Sequence, residues 1–303
     1  MHKKQGQAYI GLILVTIIVG LSFIFVKIGL RYSGAMDLLA HRFTAAAFSI
    51  LLLWIFGFIK LPPFSFKKAK WLLLLSLFYP LMFFALQTFG LQHSTASEAG
   101  IIFATTPIIT LIAASFFLKE KTTLWQKIGI VLSIAGILYI IYFTGNISGS
   151  TTLKGLFLLM LSVFVLVAYY VLGKVISANF SAMEITVWMT LFAFVVFNCF
   201  SVFDHVQNHT LSQFFSPFIH MEFLWAVLYL GVLSSMITSF LTNFALTQVP
   251  ASQIGVFNNL SPLVSIAGGV FILGETLFEY HIIGGLLVLI GVVMTVFFKS
   301  KSK

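Results

Sequence analysis

Charge is what this sequence has least of. Only 8% of its 303 residues are Asp, Glu, Lys or Arg, against about a quarter in a water-soluble domain whose surface must be hydrated. That scarcity excludes a soluble fold. Acidic residues are rarest, 8 against 17 Lys plus Arg, leaving a net charge of +9. In a soluble chain this excess suggests nucleic acid; in a chain that is 60% hydrophobic it reads as the basic anchoring of a membrane protein. No nucleic-acid partner is expected. A single cysteine, Cys199, excludes an internal disulfide framework and a multi-cysteine zinc site. Its neighbours Phe197 and Phe200 make it a small hydrophobe. Enzyme signatures are missing as well: no His-Glu-x-x-His, no Gly-x-Ser-x-Gly and no phosphate-binding Gly-x-x-x-x-Gly-Lys. No enzyme, cofactor or metal site is expected, and ATP-driven pumping by this chain alone has no nucleotide site to run on.

What is present is apolar length. A bilayer core about 30 Å thick needs about 20 apolar residues of helix. Stretches without Asp, Glu, Lys or Arg run over 5–26, 43–59, 71–97, 99–118, 128–153, 155–173, 185–203, 223–274 and 280–298. The eighth is too long for one crossing and breaks at Val249-Pro250, since proline disfavours helix in the residue before it. The reading is an all-α integral membrane protein of ten helices. A β-barrel would alternate polar and apolar residues in segments of about ten, whereas these runs are continuous. The basic start Met1-His2-Lys3-Lys4 before an apolar stretch resembles a signal peptide, but the stretch is long enough to span and is read as a retained first helix.

Placing the N-terminus in the cytoplasm puts 13 of the 17 basic residues on the inner side. Lys27, Arg31 and Lys154 fall outside, and Arg42 lies within helix 2. The long segment 204–221 holds no Lys or Arg and belongs outside. By the positive-inside rule both termini are cytoplasmic and the location is the plasma membrane.

The second half repeats the first. An offset of 155 aligns Ala96-Ser97 with Ala251-Ser252, Gly100 with Gly255, Pro107 with Pro262, Glu120 with Glu275, Gly129 with Gly284 and Gly136 with Gly291. Upstream the offset is 147, bringing Lys27 onto Lys174, and the longer outer loop of the second half absorbs the difference. Five helices per repeat, an odd number, require the second to be inverted: 1–147 and 148–303. Inverted repeats are a recurrent build for secondary transporters, with binding near the midplane between them.

These features resemble the drug/metabolite transporter superfamily in its ten-helix, EamA-type branch. The resemblance rests on the two five-helix repeats, the Ala-Ser…Pro…Leu-x-Glu pattern within 95–120 and 250–275, Gly20-Leu21-Ser22-Phe23 followed by Lys27, and Arg42 in helix 2. It implies export or exchange of small metabolites, among them amino acids, sugars and drugs.

Polar side chains at membrane depth are expensive and mark candidate sites. Tyr79, Phe83 and Gln87 follow helical spacing in helix 3 beside Pro80; Asn243 lies in the matching part of helix 8, Tyr169 in helix 6, and Asn258 and Asn259 in helix 9 before Pro262. These seven are the expected substrate-binding residues, in a path lined by helices 1, 3, 4, 6, 8 and 9. Rings with a few amides suit a small, partly apolar solute. Thr105 and Thr106 beside Pro107 re-satisfy a kinked backbone or face substrate. Asp37 and His41, spaced i and i+4 with Arg42 adjacent, read as an ion pair at the outer end of helix 2. The function so read is export of a small organic metabolite, amino-acid-like or amphiphilic, by alternating access. The alternatives are a non-transporting scaffold or receptor and, within transport, a lipid-carrier translocator. Partners are the solute and the bilayer, and a homodimer is compatible with the sequence.

Overall fold

The computed structural model describes residues 2–62, 66–118, 123–144, 152–249, 254 and 261–297. All regular structure among them is helical. In chain order the α-helices are α1 (His2–Gly29), α2 (Ala35–Ile55), α3 (Phe66–Ser76), α4 (Phe83–Gln92), α5 (Ala96–Phe103), α6 (Thr106–Leu118) and α7 (Leu124–Thr144). They continue as α8 (Leu153–Ile176), α9 (Ala182–Gln207), α10 (Met221–Leu228), α11 (Thr238–Gln248), α12 (Ser261–Leu273) and α13 (Glu279–Phe297). Eight segments are long and apolar enough to cross a membrane, from Gln5–Gly29 to Met221–Gln248; Ser261–Leu273 and Glu279–Met294 are apolar but shorter. Part of the stretch assigned by sequence to the ninth helix, including Pro250, Asn258 and Asn259, lies outside the described residues. So does Glu120.

Proline shapes the third crossing. Between α3 and α4, Leu77–Met82 winds as a π-type turn in which Tyr79 is extended, at φ −137° and ψ 121°. The cause is Pro80, which offers no N–H and pushes the residue before it out of the helical region. The eighth crossing also carries a π segment, Tyr229–Ile237 between α10 and α11, which holds no proline and stays helical throughout. At Pro107, Thr105 and Thr106 turn their hydroxyls onto the carbonyls of Ile102 and Phe103, both at 2.6 Å. These threonines re-satisfy the kinked backbone.

In lipid the apolar effect does not hold helices together; close packing and hydrogen bonds do. A Cβ on Gly136 would stand 2.6 Å from the Gly284 carbonyl, and one on Gly284 would stand 2.8 Å from the Gly136 carbonyl. A Cβ on Gly291 would collide with the Gly129 carbonyl and the Ser133 hydroxyl. Only glycine lets α7 and α13 approach so far. Between these contacts Ser133 donates to the Val288 carbonyl at 3.1 Å.

Two lysines tie helix ends to carbonyls. Lys27 Nζ donates to Leu91 O at 3.0 Å and Ser94 O at 2.9 Å. Lys174 Nζ donates to Leu246 O at 2.7 Å and Val249 O at 2.9 Å. The segment after α9 makes two short turns, Leu211–Gln213 and Ser216–Ile219, and folds back onto α2. There His41 Nε2 meets the Phe214 carbonyl at 2.9 Å, with the Phe214 ring buried beside it.

Candidate functional site

At the centre of the bundle lies a small cavity of about 40 Å³. α1 contributes Val15, Val19 and Ser22, and the third crossing contributes Tyr79, Phe83, Phe84 and Gln87. Phe103 comes from α5 and Leu166, Tyr169 and Tyr170 from α8. Ser234, Thr238 and Thr242 come from the eighth crossing, and Ser261 closes the wall from α12. The wall thus draws on α1, the third and eighth crossings, α5, α8 and α12. Gly20 permits this closure, since a Cβ there would stand 2.6 Å from Val264 and 2.8 Å from the Ser261 carbonyl.

Of the seven sequence candidates, Tyr79, Phe83, Gln87 and Tyr169 line the cavity together. Their spacing along the third crossing is not α-helical throughout, because Tyr79 sits in the π-type turn. The Tyr79 and Tyr169 rings stack at 4.6 Å. Asn243 stands behind Tyr169 and outside the lining: it accepts from the Tyr169 hydroxyl at 2.7 Å and donates to Thr186 Oγ1 at 3.0 Å. It positions the ring by fixing the tyrosine hydroxyl. Asn258 and Asn259 lie outside the described residues.

Among the described residues, four buried side-chain polar atoms have no hydrogen-bond partner: Gln87 Oε1, Ser261 Oγ, Thr88 Oγ1 and Arg42 Nη1. Two of the four belong to the cavity wall. An unmade hydrogen bond on a buried group costs about 1–3 kcal/mol, so clustered orphans are the mark of a place where something else binds.

Arg42, one of the features of the family resemblance, stands outside the seven binding candidates. The expected Asp37–His41 pair at its side does not form. Asp37 instead accepts from Ser201 at 2.5 Å and meets His205 at 3.2 Å on α9, while His41 turns to Phe214. Spacing on one helix could not reveal these partners, which come from other helices. Arg42 is 1% exposed and lies seven residues inside α2, about 10 Å along its axis at 1.5 Å per residue. Its Nε donates to Ser235 at 2.7 Å and its Nη2 to Ser234 at 3.0 Å. The guanidinium stands 3.8 Å above the Phe84 ring. No carboxylate contacts it among the described residues. Contact with an aromatic face is worth about 0.5–2 kcal/mol, and a buried ion loses several kcal/mol of hydration. Two hydroxyls and a ring leave this charge undercompensated.

A second polar cluster sits at the Lys27 end of the bundle. Glu275 crosses from the end of α12 to cap α5, accepting from Ala96 N at 2.7 Å, Ser97 N at 2.9 Å and Ser97 Oγ at 2.7 Å. Glu98, 1% exposed, closes a capping box with Thr95 and meets His281 Nε2 at 3.1 Å. His281 Nδ1 accepts from Phe278 N at 3.3 Å, which leaves Nε2 to donate to Glu98. The Thr95-x-x-Glu98 spacing is a capping-box signature that a scan for helix starts finds in sequence. No group of three metal-ligating side chains occurs among the described residues.

The sequence pattern of the EamA-like transporter family matches residues 6–142 and 153–297. An "Uncharacterized transporter YcxC" of Bacillus subtilis is 41% identical over 293 residues, covering 97% of this chain and 94% of the relative. A "Probable amino-acid metabolite efflux pump" of Salmonella typhimurium is 24% identical, covering 98% of this chain and 96% of the relative. A solved crystal structure superposes with a TM-score of 0.61 at 15% identity, covering 98% of this chain and 97% of that one. That likeness concerns the fold alone.

Proposed function

Because this chain belongs to the EamA-like transporter family, we propose that it is a secondary transporter moving a small organic metabolite out of the cytoplasm by alternating access. The observation that carries the reading is the central cavity, walled by six helical segments and containing buried polar atoms that have no partner among the described residues. A scaffold has no use for such orphans, whereas a solute with hydrogen-bonding groups satisfies them. The cavity's 40 Å³ is far below the roughly 300 Å³ of a small-ligand site, so this conformation corresponds to a contracted state and binding needs the walls to part.

The architecture we propose is ten crossings in two inverted repeats, 1–147 and 148–303, with both termini cytoplasmic. Three pairs of contacts support it. Lys27 with Leu91 and Ser94 is matched by Lys174 with Leu246 and Val249, at the offsets found in sequence. Gly136 against Gly284 is matched by Gly291 against Gly129. The π-type segment at Leu77–Met82 is matched by the one at Tyr229–Ile237. Substrate-binding roles go to Tyr79, Phe83, Gln87 and Tyr169 from the cavity, with Asn243 holding Tyr169 and with Asn258 and Asn259 assigned from sequence. On this topology the Glu275 and Glu98–His281 ties close the outer end.

The test is comparative metabolomics of medium and cytosol in cells lacking or overproducing the protein. A small set of solutes should accumulate inside on deletion and outside on overproduction. No reciprocal change, with the protein verified in the membrane, overturns the export reading.

A further inference from the structure

The most costly unexplained group in the molecule is a charge. Arg42 is 1% exposed and leaves Nη1 without a partner among the described residues. Its Nε is held by Ser235 at 2.7 Å, outside the cavity wall, while Nη2 binds Ser234, a lining residue, and the guanidinium plane faces Phe84, another. Phe84 in turn contacts Tyr79 at 5.1 Å between ring centroids. The carboxylate nearest in sequence, Asp37, is engaged by Ser201 and His205. A helix bundle could dispense with this arginine at no loss of packing, because a hydrophobic residue of similar volume is often neutral or stabilising in place of a buried ion. Its presence is explained if the missing counter-charge arrives from outside.

From this arrangement we infer that the central cavity is an anion-reading site, in which Arg42 pairs with a carboxylate carried by the solute. The inference rests on the transport reading and narrows it to a substrate class. Guanidinium chemistry favours this choice: with Nε and Nη2 of its fork held by Ser235 and Ser234, Nη1 is left as a charged donor, and such a donor binds a carboxylate about twice as strongly as it binds a neutral hydroxyl. Nη1 is the donor still free. The rest of the solute follows from the wall. An aliphatic or aromatic body lies among Tyr79, Phe83 and Phe103, and a hydrogen donor satisfies Gln87 Oε1, the orphan acceptor. Cationic amines and uncharged solutes of the same shape leave Arg42 unpaired and are rejected. Arg42 is therefore the specificity-determining residue of the site.

Three probes of one shape separate these cases: hydrocinnamate, hydrocinnamyl alcohol and hydrocinnamylamine. Binding to the purified full chain in nanodiscs is read by intrinsic fluorescence and thermal shift, and flux by proteoliposomes loaded with each probe. The wild type should bind hydrocinnamate at least tenfold more tightly than either analogue. Arg42→Gln should lose that preference while melting at or above the wild-type temperature, an outcome that a purely structural arginine does not produce. Arg42→Lys keeps the charge without the fork and should fall between. If the wild type binds the alcohol or amine as well as the acid, or binds none of the three, the anion reading is overturned; the same follows if Arg42→Gln keeps the preference. Should Arg42→Gln fail to fold, the wild-type series still decides. Hydrocinnamate binding without flux of any probe counts against transport and leaves the anion site standing. Flux of the amine or alcohol without flux of the acid does the reverse.

Discussion

Ser133 donates a hydrogen bond to the carbonyl of Val288, a residue 155 positions further along the chain. That separation equals the offset at which the second half of the sequence aligns with the first. On the inverted-repeat reading the two residues are equivalents of each other, and a pseudo-twofold axis passes between them. The flanking glycine contacts then follow as a pair. Replacing Gly136 by Ala drives a Cβ to 2.6 Å from the Gly284 carbonyl, and a backbone carbonyl has little room to give. We expect a loss of about 1–3 kcal/mol, read as a lower melting temperature in micelles. Gly6→Ala, with nothing within 4 Å, should show no loss.

The lysine ties make a matched set. Each holds two carbonyls at 2.7–3.0 Å, and a hydrogen bond from a charged donor contributes about 1.5–3 kcal/mol. Lys27→Met and Lys174→Met should therefore destabilise the protein by similar amounts, of order 2 kcal/mol each, in chemical or thermal unfolding. A large effect at one lysine and none at the other would count against their equivalence.

Glu275 takes three hydrogen bonds on two oxygens. In Glu275→Gln one oxygen becomes an NH₂ group facing N–H donors, so part of the cap is lost and α12 should come away from α5. With Cys199 replaced by Ser, a cysteine at Ser97 should react faster with a membrane-impermeant maleimide in the Glu275→Gln background. An unchanged labelling rate would mean that the tie does not keep this end shut.

Orientation is tested by fusion reporters. A reporter after Lys303 should report the cytoplasm and one inserted in segment 208–220 the outside. Both on one side would refute the proposed topology.

Much of the fold could be read directly from the amino acids. Uncharged runs mark crossings because lipid does not tolerate charge, and Pro80 marks a break because it offers no N–H. Lys27 and Lys174 align because they do the same task twice. The aromatic and amide side chains at membrane depth led to Tyr79, Phe83, Gln87 and Tyr169, all of which line the cavity. Partner choice was less legible. Asp37 and His41 stand one turn apart and look paired, yet each finds a better partner on another element, Ser201 and Phe214 respectively. Asn243 looks like a substrate contact, but its amide is occupied by Tyr169 and Thr186. Arg42 is only adjacent to that pair in sequence; the three-dimensional packing reveals that it faces Ser234, Ser235 and Phe84.

Segment 208–220 is longer than the connection 56–65 at the matching place of the first half. It fastens Phe214 over His41 on one side of the bundle only. Two ideally mirrored halves would give inward- and outward-facing forms of equal energy, and the molecule would rest in either with equal frequency. A longer segment gripping one end removes this degeneracy. On the inverted-repeat reading the protein therefore has a preferred resting face, set by its own sequence before any solute or ion gradient acts on it.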